Sequence, residues 1–149
     1  MAGLKTILVP VDFSVHASQA LETATELAKT FKAKLHLLHC CQLNVGVNSA
    51  YGLMVPPSFD REIRDAAARR LAEWRDRVTA QKVEAETEIS AASPTEAIAS
   101  TAERIGADLI VIGTRGLSGI KHVMVGSVAE RTVRNANCPV LTVKARGED

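Results

Sequence analysis

The chain has 149 residues, a formal net charge of +1, and 46% hydrophobic against 23% charged side chains. That length fits a single domain, residues 1–149, with a core large enough to fold without disulfides or metal. Aromatic residues make up only 3%, too few for a base-stacking platform, and the dispersed Lys and Arg argue against nucleic acid or an anionic membrane as the main partner. Three cysteines, Cys40, Cys41 and Cys138, have neither framework nor zinc-site spacing and read as reduced thiols of a cytoplasmic protein. The first apolar run, Ile7-Leu8-Val9-Pro10, is too short for a signal peptide and is cut by Asp12. No stretch approaches the roughly 18–20 apolar residues of a membrane span.

In chain order, Thr6–Val11 reads as a buried first strand, and Phe13-Ser14 opens a helix with Ser14 as N-cap. Lys34–Cys41 is a second apolar strand. Residues 42–58 show no period and hold Gly46, Gly52 and Pro56-Pro57, so a long loop is expected, of the kind that often covers a site. In Asp60–Thr79 the residues Ile63, Ala67, Leu71, Trp74 and Val78 share one helical face. Val83, Ala85, Thr87 and Ile89 alternate with Glu84, Glu86 and Glu88, the pattern of a strand with one wetter face at a sheet edge. Ser93-Pro94-Thr95-Glu96 has the form of a capping box, and its helix should end at Gly106. Ala107–Gly113 is a fourth strand. A glycine-containing segment follows, then a helix from about Ser127 to Asn135 and a last strand over Pro139–Lys144. Strands alternating with helices imply a parallel sheet covered on both faces.

Open sheets of this kind hold ligands outside the carboxyl ends of their strands, where strand order reverses. The candidates are Pro10-Val11-Asp12 after the first strand, His39-Cys40-Cys41 after the second, and the segment from Gly113 to Ser127 after the fourth. Gly113 and Gly116 let backbone approach a ligand closely. Gly126-Ser127 starts a helix whose free N–H groups and dipole favour an anion. Thr114, Ser118 and Ser127 offer hydroxyls, and Arg115, Lys121 and His122 offer positive charge, so the segment suits phosphate. It is neither a Gly-x4-Gly-Lys-[Ser/Thr] P-loop nor a Gly-x-Gly-x-x-Gly dinucleotide turn. His36 and His39 read as strand residues, since no third metal ligand is evident.

The segment spells Gly113-x2-Gly116-x9-Gly126-Ser127, and in this it resembles the nucleotide signature Gly-x2-Gly-x9-Gly-[Ser/Thr] of the universal stress protein family, in its ATP-binding subgroup. Ile7–Ser14, Leu37-Leu38-His39, Ala107–Gly113 and Cys138–Val143 are similar as well, so the likeness spans the chain outside the loop near 42–58. The resemblance implies a three-layer α/β/α fold, Rossmann-like and adenine nucleotide alpha-hydrolase-like, with a five-stranded parallel sheet and about four helices. It implies ATP, or ADP or AMP, between the ends of strands one and four. Pro10 and Val11 would line the site, the backbone at Cys40 would meet the adenine, and Gly113, Gly116, Gly126 and Ser127 would hold ribose and phosphates. Thr114, Arg115 and Val128 belong to the same cradle. A carboxylate beside phosphates repels them unless something intervenes, so Asp12 is expected to face the ribose or a Mg²⁺ ion rather than only to cap the first helix. The family also implies a homodimer through the last strand, Val140–Val143, and a protein partner that the sequence does not name.

Three functions compete. The first is an adenine-nucleotide-binding regulator of stress adaptation. The second is a slow ATP hydrolase or phosphotransferase, for which Asp12 is the only obvious carboxylate at the site. The third is a nucleotide-free module that dimerises, against which the intact glycine signature counts. The first is the expectation, with no catalytic residue assigned and weak ATP hydrolysis as a side activity.

Overall fold

The computed structural model describes residues 3–42, 57–115 and 125–146. In these, β1 (Thr6–Pro10), α1 (Val15–Phe31), β2 (Lys34–Cys40), α2 (Pro57–Thr79), β3 (Ala85–Ser90), α3 (Pro94–Ile105), β4 (Leu109–Gly113), α4 (Ser127–Asn135) and β5 (Val140–Val143) follow one another. The strands form one sheet in the order β3-β2-β1-β4-β5, with every neighbouring pair parallel. This is the three-layer architecture expected from the alternation of strands and helices.

Successive strand residues point to opposite faces, which divides the apolar core in two. Ile7, Val9, Leu35, Leu37, Leu109 and Val111 meet Ala20, Leu21 and Ala24 of α1 and Leu71 and Val78 of α2. Leu8, Leu38, Ile110 and Ile112 meet Ala97, Ile98 and Ala102 of α3 and Ala129 of α4. Both faces of the inner strands are dry, so these strands read as continuous apolar runs. With few aromatics available, α1 presents alanines to the sheet, which brings its backbone close to the strands.

The helix ends follow local chemistry. The Ser14 hydroxyl accepts from the Ala17 N–H at 3.1 Å, capping α1 as expected. Gly106 closes α3 in the left-handed region at φ 63°. Two expectations change. Helix α2 begins at Pro57 rather than Asp60, because a proline's fixed φ suits a first helical turn. The remainder of the expected loop, residues 43–56, lies outside the described residues. Ser93 makes no side-chain cap bond, so the capping box ahead of α3 is present in sequence but not closed in structure.

At the β3 edge, the alternation that left one face wet places Glu86 and Glu88 beside His36 of β2. His36 Nε2 lies 3.1 Å from a Glu88 oxygen and His36 Nδ1 lies 3.8 Å from Glu86. The Arg104 guanidinium of α3 donates to both oxygens of Glu88, tying α3 to the edge strand. Burial alone would raise the Glu88 carboxyl, but Arg104 and His36 together outweigh it and hold the group below its usual value. A carboxyl held low stabilises the fold above its unfolded value and loses that contribution as pH falls through its folded one. Glu88→Gln is therefore expected to lower stability by about 1–2 kcal/mol at neutral pH. Urea midpoints of both proteins should converge as the pH is taken below the ordinary carboxyl value of 4.5.

Candidate functional site

β1 is the strand at which order reverses: it pairs with β2 on one side and with β4 on the other. The chain leaves β1 into α1, which packs on one face of the sheet, and α4, which follows β4, packs on the other. The departing segments diverge and open a cavity of about 230 Å³ at the carboxyl ends of the strands. Pro10, Val11 and Asp12 line it from the end of β1, and Leu38, His39 and Cys40 from the end of β2. Gly113, Thr114 and Arg115 line it from β4, and Gly126, Ser127 and Val128 from the start of α4. The structure thus brings together eleven residues selected from the sequence, out of four separate segments, while the candidate Cys41 is not in the lining. Gly116, with Ser118, Lys121 and His122, lies outside the described residues.

The β1–α1 turn is fixed from several directions. Asp12 Oδ1 accepts from the Ser14 N–H at 3.0 Å, so one carboxylate oxygen braces the turn and the helix cap itself is Ser14. Phe13 adopts φ 65°, the left-handed region that a bulky residue enters only when its surroundings hold it. Its ring stacks on His39 at 4.6 Å, meets the Trp74 edge at 5.4 Å, and carries the Arg70 guanidinium at 4.4 Å. His39 Nδ1 lies 2.6 Å from the Val11 carbonyl oxygen. A carbonyl only accepts, so the ring carries its proton on Nδ1.

The glycines serve two different needs. A Cβ at Gly113 would lie 2.8 Å from both the carbonyl carbon and the Cβ of His16. Gly113 is thus required by the seating of α1 on β4, a need the sequence did not announce, and it also lines the cavity. Gly126 is the N-cap of α4 and makes no side-chain cap bond. Its N–H donates to the Thr114 carbonyl, while the N–H groups of Ser127 and Val128, in the first turn, have no intrahelical acceptor and lie along the cavity. Beside them Thr114 is only 6% exposed, and its Oγ1 and the Arg115 Nε are buried without a hydrogen-bond partner. Unpartnered buried donors at an uncapped helix start, in a cavity wall, match what a phosphate or a sugar hydroxyl offers.

Cys40 is the cavity's thiol. Burial first, and the Glu88 charge second, push it from 9.0 up to about 11, so it stays protonated and neutral at physiological pH. Among the described residues, no group of three or more His, Cys, Asp or Glu could hold a metal ion, and no helix is long and apolar enough to cross a membrane. Among the described residues, Asp12 is the one carboxylate along the cavity. Sequence reasoning missed Phe13, and it named His39 by its place at a strand end without its bond to Val11, since both roles depend on contacts between segments. It also missed the apolar wall formed by Pro94 and Ile98 of α3.

An open parallel sheet, with a mixed apolar and anion-favouring crevice at its switch point, defines a doubly wound α/β ligand-binding domain. Comparison with known proteins narrows this. Residues 3–144 match the model of the universal stress protein family, and the chain belongs to that family. Universal stress protein YxiE of Bacillus subtilis is 35% identical, over 93% of this chain and 97% of its own length. The solved UspA of Lactobacillus plantarum superposes with a TM-score of 0.77 at 26% identity, covering 96% of this chain and 99% of that one. A universal stress protein solved in complex with cAMP superposes with a TM-score of 0.69 at 25% identity, covering 97% of this chain and 99% of that one.

Because the Gly113 contact is with backbone and Cβ atoms of a helix, no side-chain rotation relieves it. Gly113→Ala should lower stability by about 1–3 kcal/mol, read as a fall in the urea midpoint. An unchanged midpoint would show that α1 does not seat on β4 at this point.

Proposed function

We propose that this protein binds an adenine nucleotide, with ATP favoured over ADP or AMP, and acts as a regulatory binder in stress adaptation rather than as an enzyme. The observation that carries the reading is the meeting of an uncapped α4 N-terminus with the orphaned Thr114 hydroxyl in one cavity wall. Phosphate oxygens would accept from the N–H groups of Ser127 and Val128, with Arg115 alongside. The base would lie at the opposite end, against Pro10, Val11 and the Cys40 backbone. Asp12 keeps one oxygen outside its bond to Ser14, available for a ribose hydroxyl or a Mg²⁺ ion. The related protein solved with cAMP supports adenine as the base. Turnover would need a group that orients water or accepts a proton, and Asp12, the cavity's one carboxylate, is already engaged in the turn.

Nucleotide binding would act by population shift, favouring one arrangement of the surfaces offered to a protein partner. The β5 edge offers such a surface: Leu141 is 38% exposed on a strand paired on one side only. We assign it to a homodimer through Val140–Val143. The free thiols of Cys40, Cys41 and Cys138 support a cytoplasmic location for such a regulator.

Releasing nucleotide by denaturing the purified protein, and identifying it by chromatography and mass, tests the site. ATP or ADP is expected from the wild type and not from Gly126→Asp. Aspartate suits an N-cap, and its Cβ, 3.2 Å from the Thr114 carbonyl oxygen, asks only a small shift of that backbone, so the variant should fold, yet it sets a carboxylate where phosphate would lie. Thr114→Val, which removes the orphaned hydroxyl, is expected to hold or raise stability while weakening nucleotide binding about 5- to 20-fold. If the wild type neither releases nucleotide nor binds added Mg-ATP, the reading fails and the nucleotide-free dimerising module replaces it.

A further inference from the structure

We infer that His39 is the positioning residue of base recognition: its imidazole takes the Val11 carbonyl out of the β1–β2 ladder and so leaves the Cys40 peptide free to read a purine edge. The inference rests on the nucleotide-binding reading above and goes beyond it in naming what prepares the base end of the site.

In a parallel sheet, alternate residues of a strand direct both N–H and C=O to the same neighbour. On β2 the even residues face β1: the Lys34 N–H donates to Lys5, and the Leu38 carbonyl accepts from Val11 at 2.7 Å. The odd residues face β3, where the Leu35 N–H donates to Glu84 and the Cys41 N–H donates to Ser90 at 2.8 Å. The next step of the β1–β2 ladder would run from the Cys40 N–H to the Val11 carbonyl. That carbonyl accepts instead from His39 Nδ1 at 2.6 Å and, among the described residues, takes no bond from the Cys40 N–H, while Phe13, tilted 38° against the ring at 4.6 Å, holds the imidazole in place. β1 ends at Pro10 and the chain turns away at Phe13, so no later residue of β1 reaches the Cys40 carbonyl either. Both backbone polar groups of one residue, Cys40, are left at the cavity, a donor beside an acceptor with fixed spacing. Adenine offers the complement, with N1 accepting and the N6 amino group donating. Guanine offers the reverse, N1–H donating and O6 accepting, so the same backbone pair rejects it.

The test labels only cysteine amides with ¹⁵N, which gives three signals in the full chain. In the ligand-free wild type the Cys40 amide should exchange with solvent at least about tenfold faster than that of Cys41, which is held by Ser90. Added ATP should slow it. In His39→Leu, Val11 should recapture the amide and slow its exchange without ligand, and the preference for ATP over GTP should fall from at least about tenfold to below about threefold. His39→Asn, whose side-chain N–H₂ sits near the place of Nδ1, should restore both readouts. A role confined to stability would move neither the exchange pattern nor the ATP-to-GTP ratio. A slowly exchanging Cys40 amide in the ligand-free wild type overturns the inference even if His39→Leu does not fold. So does a His39→Leu protein that keeps the full ATP preference. A wild type that binds no adenine nucleotide overturns the reading of the site itself, and the inference with it.

Discussion

β1 is hydrogen-bonded to β2 along one edge and to β4 along the other, and the chain leaves β1 and β4 toward opposite faces of the sheet. No segment can then cover the carboxyl ends of those strands from within the sheet. Peptide groups at the ends of β2 and β4 are left facing a gap whose walls are α3 on one side and the starts of α1 and α4 on the others. The gap depends on how closely α1 lies against β4. The missing Cβ at Gly113 allows the first turn of α1 to contact the strand, and the buried His16 ring accepts from the Ala145 N–H at 3.3 Å, fastening the same turn to the segment after β5.

The electrostatics of the gap have a direction. At the α4 end, N–H groups without intrahelical acceptors, the positive end of the helix dipole, and the donors of Thr114 and Arg115 all favour negative charge. At the β2 end, burial keeps the Cys40 thiol neutral, so no thiolate opposes an anionic ligand. Asp12 stands between the two ends, with one oxygen committed to Ser14. A ligand that is anionic at one end and flat and hydrogen-bonding at the other fits this gradient. A uniformly charged ligand would lose at the apolar β2 end, where Leu38, Pro94 and Ile98 supply the wall.

Much of this was legible in the chain because its signals are local. Apolar runs over four to six residues marked β1, β2 and β4, and glutamates at every second position marked β3 as an edge. The site residues could be named because strand ends are recognisable in sequence and the sheet brings those ends together. What could not be read depends on register or on approach between segments. The pairing of Pro10 with Leu38 sets His39 beside Val11, and nothing near either residue announces it. Gly113 was placed at the right site for an incomplete reason, since the helix that needs the space begins nearly a hundred residues earlier. Ser93 and Glu96 have the spacing of a capping box, yet the described cap carries no side-chain bond, because spacing permits such a bond without compelling it.

Phe13 shows how the two faces of the sheet share the work. A phenylalanine at φ 65° costs on the order of 1–3 kcal/mol against an extended or helical conformation. That cost must be offset by contacts that only this conformation makes. His39, Trp74 and Arg70 supply them, and two of the three belong to α2. The contacts therefore lie on the α1 and α2 face, whereas much of the ligand cavity's wall, through Leu38, Cys40, Ile98 and Ala129, lies on the α3 and α4 face. Asp12 sits on the turn between them, one residue from Phe13. Its position at the cavity is thus set in large part by packing on the other face of the sheet, so loss of the Phe13 contacts would displace Asp12 while the cradle at α4 kept its shape.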